Sequence, residues 1–419
     1  LHKAIRRQRQ MCIRDRYYPV RNEDGSLMPY FLTVRNGGTK AIHNVQIGNE
    51  RVLRARLDDA KFFFENDRKK SLEGHREDLT RINYQEGMGT MLDKADRLQK
   101  LSDFICDGWN LSADEKADAE RAAYLSKSDL ATGMVTEFTE LQGEMGKEYA
   151  LLDGEKKNVA QAIFEQYMPR FAGDILPQES IGRVLSMADK LDNLAATFLR
   201  GLIPTGSQDP FALRRQTIGA VNILTDGGIH WDIREGIRKA LELLPGEKEA
   251  KETALGQIEE FFRQRIKAIM LDEGIAYDII DAVLAGPVDD IEALFLKARA
   301  MAESQLKDET DLRQAVTRLA NITKDKEGGA VDPSLFEVEY EKNLQAALDE
   351  VKAEVLPLYK EYQYGKALAS LKKLTAPIND YLDNVMVMVD DEKVKANRVS
   401  QLISALDLFR AWGDFSKLV

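Results

Sequence analysis

From Arg51 onward the apolar residues of this chain recur at three- and four-residue spacing, the period that buries one stripe of a helix. In RVLRARLDDAKFFFENDRKK (51–70) the stripe is Val52, Leu53, Leu57, Ala60, Phe63 and Phe64. MGTMLDKADRLQKLSDFI, DLATGMVTEFTELQGEMGKEYALL, EKKNVAQAIFEQYM and SIGRVLSMADKLDNLAATFL repeat the pattern. Turn chemistry separates these runs, with Gly and Pro in GDILPQES, IPTGSQDPF, LLPGE and EGGAVDPS. Before Arg51 the period is two. PYFLTVRNG alternates and ends in Asn36-Gly37-Gly38, a hairpin signal, and AIHNVQIGNE alternates again. Two strands are expected there, torn from a larger sheet. The fold class predicted is mainly α: an N-terminal β-containing fragment followed by a multi-domain helical body.

Composition changes the picture in three places. With 419 residues, 44% of them apolar, the chain can build several cores. The net charge of -11 argues against a protein that coats nucleic acid non-specifically, and leaves room for a local basic face that docks one structured RNA. No apolar run approaches the ~20 residues that span a bilayer. Residues 1–16 are basic with no apolar stretch behind them, so they are not a signal peptide, and a cytoplasmic protein without membrane contact is expected. Met11–Arg16, MCIRDR, corresponds to translated codons of a transposon end used in preparing sequencing libraries. Residues 1–16 are therefore expected to be a sequencing or assembly artefact, or else a disordered arm. Cys12 falls within them; with Cys106 it makes neither a disulfide framework nor a zinc-ligand spacing.

Candidate chemistry is sparse. There is no Gly-rich phosphate loop and no dinucleotide fingerprint. SKSDL (126–130) and ADKLDNL (188–194) resemble the layout of the HD phosphohydrolase superfamily, in which a His-Asp pair and a later Asp hold metal. Neutral imidazole is what suits such a site to transition metals, yet residues 106–225 contain no histidine and Ser128 stands where the pair's histidine would be. Asp129 and Asp189 are expected to approach across two packed helices without metal, Asp129 capping a helix or pairing with a base such as Lys190. In PTGSQDPFALRRQTIGAVNIL (204–224), Asp209 reads as an N-cap and Pro210 as the first helical residue. Arg214 and Arg215 are adjacent, so they point about 100° apart and cannot both be buried; one is a candidate phosphate contact. In DLRQAVTRLANITKDK (311–326), Leu312, Ala315, Val316, Leu319 and Ile322 form one face and Gln314, Arg318 and Asn321 the other. Amides mixed with Arg can bond base edges as well as phosphates. DEKVKANRVSQLI (391–403) adds Lys393, Lys395 and Arg398, and Met386 and Met388 read as core.

Taken together, FLTVRNG, GNERVLRARLDDAKFFFENDRK, SDLATGMVTEFTELQGEMGKEYA, MADKLDNL, PTGSQDPFALRR, RLANI, LDNVMVMVDDEKVKANRVSQLI and DFSKL resemble the beta subunit of bacterial heterotetrameric glycyl-tRNA synthetase. The blocks are long, ordered and spread from Tyr17 to the end of the sequence. The resemblance implies a chain that works with a separate alpha subunit in a heterotetramer of two alpha and two beta subunits. The alpha subunit would carry the class II site, with ATP and Mg acting there and no cofactor bound by this chain. This chain would be catalytically silent alone, positioning tRNA(Gly) for glycylation. The divisions expected are residues 17–105, a β-containing fragment with helices; 106–225, a degenerate HD-like domain; 226–309, a helical linker or body; and 310–419, a helical anticodon-binding-like domain. The family's large N-terminal part has no counterpart here, and a truncated fragment is expected. Arg318, Asn321, Gln314, Lys393, Lys395, Arg398, Arg214 and Arg215 become the expected tRNA contacts. Two other classes remain: a helical interaction scaffold without an RNA role, and an HD-type metal-dependent phosphohydrolase.

Overall fold

A computed structural model describes residues 17–206, 208–304 and 309–418; the expectations for residues 1–16, Cys12 among them, lie outside the described residues. The chain divides into two compact units, with the boundary between Phe63 and Phe64.

In the first unit β1 (Tyr17–Arg21) pairs antiparallel with β2 (Leu27–Thr33), Tyr17 opposite Thr33 and Pro19 opposite Phe31. The turn is Asn22–Ser26, not Asn36–Gly38. Gly25 sits there at φ 82°, the Asn22 N–H donates to the Ser26 carbonyl (2.9 Å), and the Asp24 carboxylate accepts from the Ser26 N–H and hydroxyl. The second expected strand is helix. AIHNVQIGNE opens α1 (Ile42–Asp67), because Val45, Asn49, Leu53, Arg56, Ala60 and Phe63 make a continuous stripe of less exposed positions that runs through Arg51. Val52 and Leu57, expected on that stripe, are exposed. The Tyr17 hydroxyl donates to Asn49 Oδ1 (3.0 Å), tying the hairpin to α1.

The second unit is helical: α2 (Met91–Gly108), α3 (Ala113–Leu125), α4 (Glu144–Leu152), α5 (Lys157–Glu165), α6 (Ser180–Leu199), α7 (Leu213–Gly227), α8 (Ile233–Glu242), α9 (Lys248–Asp272), α10 (Tyr277–Val283) and α11 (Ile291–Glu303) come first. The hub is α6, which packs against α2, α3, α5, α7, α8 and α9 and is buried almost all round. Then come α12 (Thr310–Thr323), α13 (Glu339–Lys360), α14 (Tyr364–Leu371), α15 (Thr375–Asn384) and α16 (Glu392–Arg410). Leu312, Ala315, Val316 and Leu319 of α12 are buried, as their spacing predicts. The final turn, Phe415–Lys417, packs on α10 and α12, and the Asp414 N–H donates to the Ala282 carbonyl (2.8 Å). Gly413, just before it, lies so close to the Ala282 carbonyl that a Cβ could not fit. Among the described residues no helix is long and apolar enough to cross a membrane.

Candidate functional site

The hub helix carries three charges into the interior. Asp189, Lys190 and Asp192 of α6 are all buried. A capping box between Thr90 and Asp93 fixes the start of α2, which then delivers Lys94 and Arg97 to the same place. Lys94 Nζ lies 2.9 Å from Asp189 Oδ1 and 2.8 Å from Asp192 Oδ2, and Arg97 Nε lies 2.6 Å from Asp192 Oδ1. Lys127, at φ 66°, reaches Asp189 Oδ2 at 3.1 Å and sits 4.0 Å above the Tyr167 ring. Burial alone would raise the Asp189 carboxyl, but Lys127 and Lys94 hold it well below the usual range. Burial likewise pushes the Lys94 ammonium down, and Asp189 and Asp192 more than offset it.

Asp129 caps a helix, the first of its two expected roles. Its Oδ2 accepts the Gly143 N–H (2.6 Å) immediately before α4, and burial pushes its carboxyl up. It is not the partner of Lys190, whose Nζ instead donates to the Met168 carbonyl and Ser186 Oγ, both at 2.6 Å. With no carboxylate in that shell, burial lowers the Lys190 ammonium to about 7. Ser128, expected where the HD pair would have its histidine, is buried, and among the described residues its hydroxyl has no partner. The Asp189 carboxylate is thus already clamped by Lys94 and Lys127. Among the described residues no group of three or more His, Cys, Asp or Glu is arranged to hold an ion. Lys94, Lys127, Lys190 and Arg215 line a cavity of about 380 Å³ over this cluster.

The arginine pair divides as its adjacency predicts. Arg214 Nη2 donates to the Gly206 carbonyl (2.6 Å), while the exposed Arg215 reaches the Arg170 carbonyl (3.2 Å). Asp209 caps α7, though from further upstream than an N-cap: its carboxylate accepts the Leu213 and Arg214 N–H groups at 2.8 and 3.0 Å, and the helix begins at Leu213 rather than Pro210. Ala212, at φ 55°, turns the chain between them.

On α12, Gln314 and Asn321 are exposed and Arg318 half-buried, its guanidinium 2.7 Å from Asp383 at the end of α15. Lys393 is exposed, and Lys395 pairs with Glu392 (3.1 Å) at the start of α16. Arg398 corrects the expectation. It is 4% exposed and turned inward, with Nε 2.9 Å from the fully buried Glu341, Nη2 2.8 Å from Glu337 and Nη1 3.0 Å from the Met386 carbonyl. A guanidinium spent on internal partners holds α16 to α13; it is not free for RNA. Met386 and Met388 also reverse: the chain leaves α15 through an extended Val385, Val385 and Val387 are buried, and the two methionines are exposed, Met386 at 74%.

Lys94 and Arg97 were missed in the sequence, and a signal for the first was present. Lys94 falls on the same stripe as Leu98, Leu101 and Ile105, all buried, so its position marks it as internal whatever its charge.

Comparison with known proteins covers most of the chain. The family described as glycyl-tRNA synthetase beta subunit matches residues 8–285, and the DALR anticodon binding domain matches residues 312–410. A glycine–tRNA ligase beta subunit of Clostridioides difficile is 44% identical over 405 residues, 96% of this chain and 59% of that protein. Those of Halothermothrix orenii (43%, 94% of this chain and 57% of that one) and Syntrophus aciditrophicus (38%, 98% and 59%) are similar over the same extent. The chain therefore spans about three fifths of the length of the curated relatives it matches.

Proposed function

The chain belongs to the glycyl-tRNA synthetase beta subunit family, and from that premise we propose that it grips tRNA(Gly) and presents it to the active site of a separate alpha subunit. The ligase reaction belongs to the heterotetramer of two alpha and two beta subunits, in the cytoplasm, with ATP and Mg acting at the alpha subunit. The contribution of this chain is positioning, which removes much of the entropic part of a bimolecular barrier. Residues 106–225 are in this reading a degenerate HD-like domain in which lysines neutralise the carboxylates that would otherwise hold metal.

The observation that carries the proposal is the outward face of Gln314, Arg318 and Asn321, inside the region that matches the DALR anticodon binding domain. Lys393 extends the candidate surface, whereas Arg398 leaves it. Arg318→Ala, assayed in the complex with the alpha subunit, should weaken tRNA(Gly) binding by ~1–3 kcal/mol, the range of a charge-assisted hydrogen bond. If the contact is to phosphate, the variant should also show a shallower salt dependence. Unchanged affinity and slope in Arg318→Ala and in a Gln314→Ala, Asn321→Ala double variant would leave this face as ordinary solvated surface.

A further inference from the structure

The two arginines that open α7 serve different cavities. Arg215 lines the one above the lysine–aspartate cluster. Arg214 lines a second, of about 780 Å³, and there it is joined by Arg265 from α9. Among the described residues neither guanidinium has a carboxylate within ion-pair distance. The Asp209 oxygens are taken by the backbone N–H groups of Leu213 and Arg214. Glu260, also on the cavity wall, is engaged by Arg263 (3.3 Å) and Gln264 (3.2 Å).

Arg265 is held in place without an ion pair among the described residues. Its guanidinium carbon lies 4.8 Å from the centre of the buried Phe261 ring; among the described residues Nη2 reaches only the Gln264 side-chain oxygen, at 3.3 Å, and Nε is buried with no partner. Burial and the nearby Arg214 together depress its pKa below the arginine norm, with the Asp209 carboxylate opposing them only in part. Two like charges facing one space, one with a buried idle donor, cost stability in an empty protein. The same arrangement suits a tetrahedral dianion or diester, which takes charge-assisted hydrogen bonds from several N–H groups at once.

We propose that Arg214 and Arg265 form a phosphate-binding site, with an RNA backbone phosphate as its occupant. The identity of the occupant rests on the tRNA-binding reading above; the site itself does not, since a free phosphate ester presents the same chemistry. Melting of the full chain in inorganic phosphate against chloride at matched ionic strength tests the site. Phosphate should raise the melting temperature of the wild type by a few degrees, by mass action on the folded state. It should do so for neither Arg265→Gln nor Arg214→Gln. Without phosphate, Arg265→Gln should melt at the wild-type temperature or above it, because it relieves repulsion, whereas a merely structural arginine would lower it. Should Arg265→Gln fail to fold, the wild-type response and Arg214→Gln still decide. No phosphate effect on the wild type, or an equal effect on all three chains, overturns the proposal. The second arm measures tRNA(Gly) affinity in the complex with the alpha subunit. A roughly five- to tenfold loss in Arg265→Gln with a flatter salt dependence assigns the site to RNA backbone. An intact affinity beside a lost phosphate response overturns the RNA occupant and leaves a site for a free phosphate ester.

Discussion

Arg398 and Lys190 show how much a single side chain's neighbours decide. Glu341 is fully buried, and burial works against its charge, but the Arg398 guanidinium and the Val338 and Glu337 N–H groups keep its carboxyl below the usual range. Arg398→Ala should therefore cost stability, ~3–5 kcal/mol by urea unfolding, because an unpaired carboxylate remains inside. Adding Glu341→Leu should recover most of that loss; a double variant as unstable as the single one would put the cost in packing instead. Lys190 makes a prediction of opposite character. Its ammonium is lowered to about 7 in the folded chain, against 10.5 for the ordinary side chain. Between those values the unfolded chain binds the extra proton, so stability should rise with pH from about 7 upward, by at most ~1.4 kcal/mol per pH unit, and show no slope from this group below 7. Lys190→Met should flatten urea stability measured at pH 7, 8 and 9. A variant with the wild-type slope would assign the titration elsewhere. Arg398 was misjudged in the sequence because charge suggested exposure; Lys190 was offered as a partner for Asp129, and its actual acceptors are Ser186 and the Met168 carbonyl. Position said otherwise for Arg398, which falls four residues after Val394 and four before Leu402, both buried. What no spacing could give was the partner, since Glu341 is 57 residues away in the chain.

At the level of elements, helix was legible and strand only in part: PYFLT, read as strand, lies in β2, but its partner was sought downstream instead of upstream. The stripe of α12 was read correctly because its apolar positions are strictly periodic and its polar ones are amides and Arg. α6 was read as amphipathic, yet it is covered on nearly every side; Asp189, Lys190 and Asp192 gave it a polar face that the fold turns inward against Lys94, Arg97 and Lys127. The hairpin was placed one strand too late. Asn36-Gly37-Gly38 is the stronger turn signal in isolation, but Asp24-Gly25 makes the turn, and a ten-residue window such as AIHNVQIGNE holds too few apolar positions to separate a period of two from one of 3.6. Only when the window crosses Arg51 does the stripe from Val45 to Phe63 identify the helix.

On the scale of the whole molecule, a net charge of -11 leaves the proposed RNA affinity to local groups rather than to a general basic field. Such groups are useful at a distance only if what lies between them is stiff. The close approach of Gly413 to the Ala282 carbonyl, with the Asp414 N–H bonded to that same oxygen, fastens the last turn to α10. Gly413 also holds φ 152°, a conformation that L-residues with a Cβ avoid. Gly413→Ala should break this fastening: hydrogen exchange should speed up in residues 277–284 and 412–418 while α6 stays protected, and uniform protection would show the contact to be incidental. On the proposed tRNA-positioning role, the variant in complex with the alpha subunit should retain tRNA affinity and lose turnover. On that same reading, a fastened joint would make the span between a distant grip and the reacting end a ruler. An RNA one base pair too long in the intervening stem would then be refused on length alone, with none of its bases read.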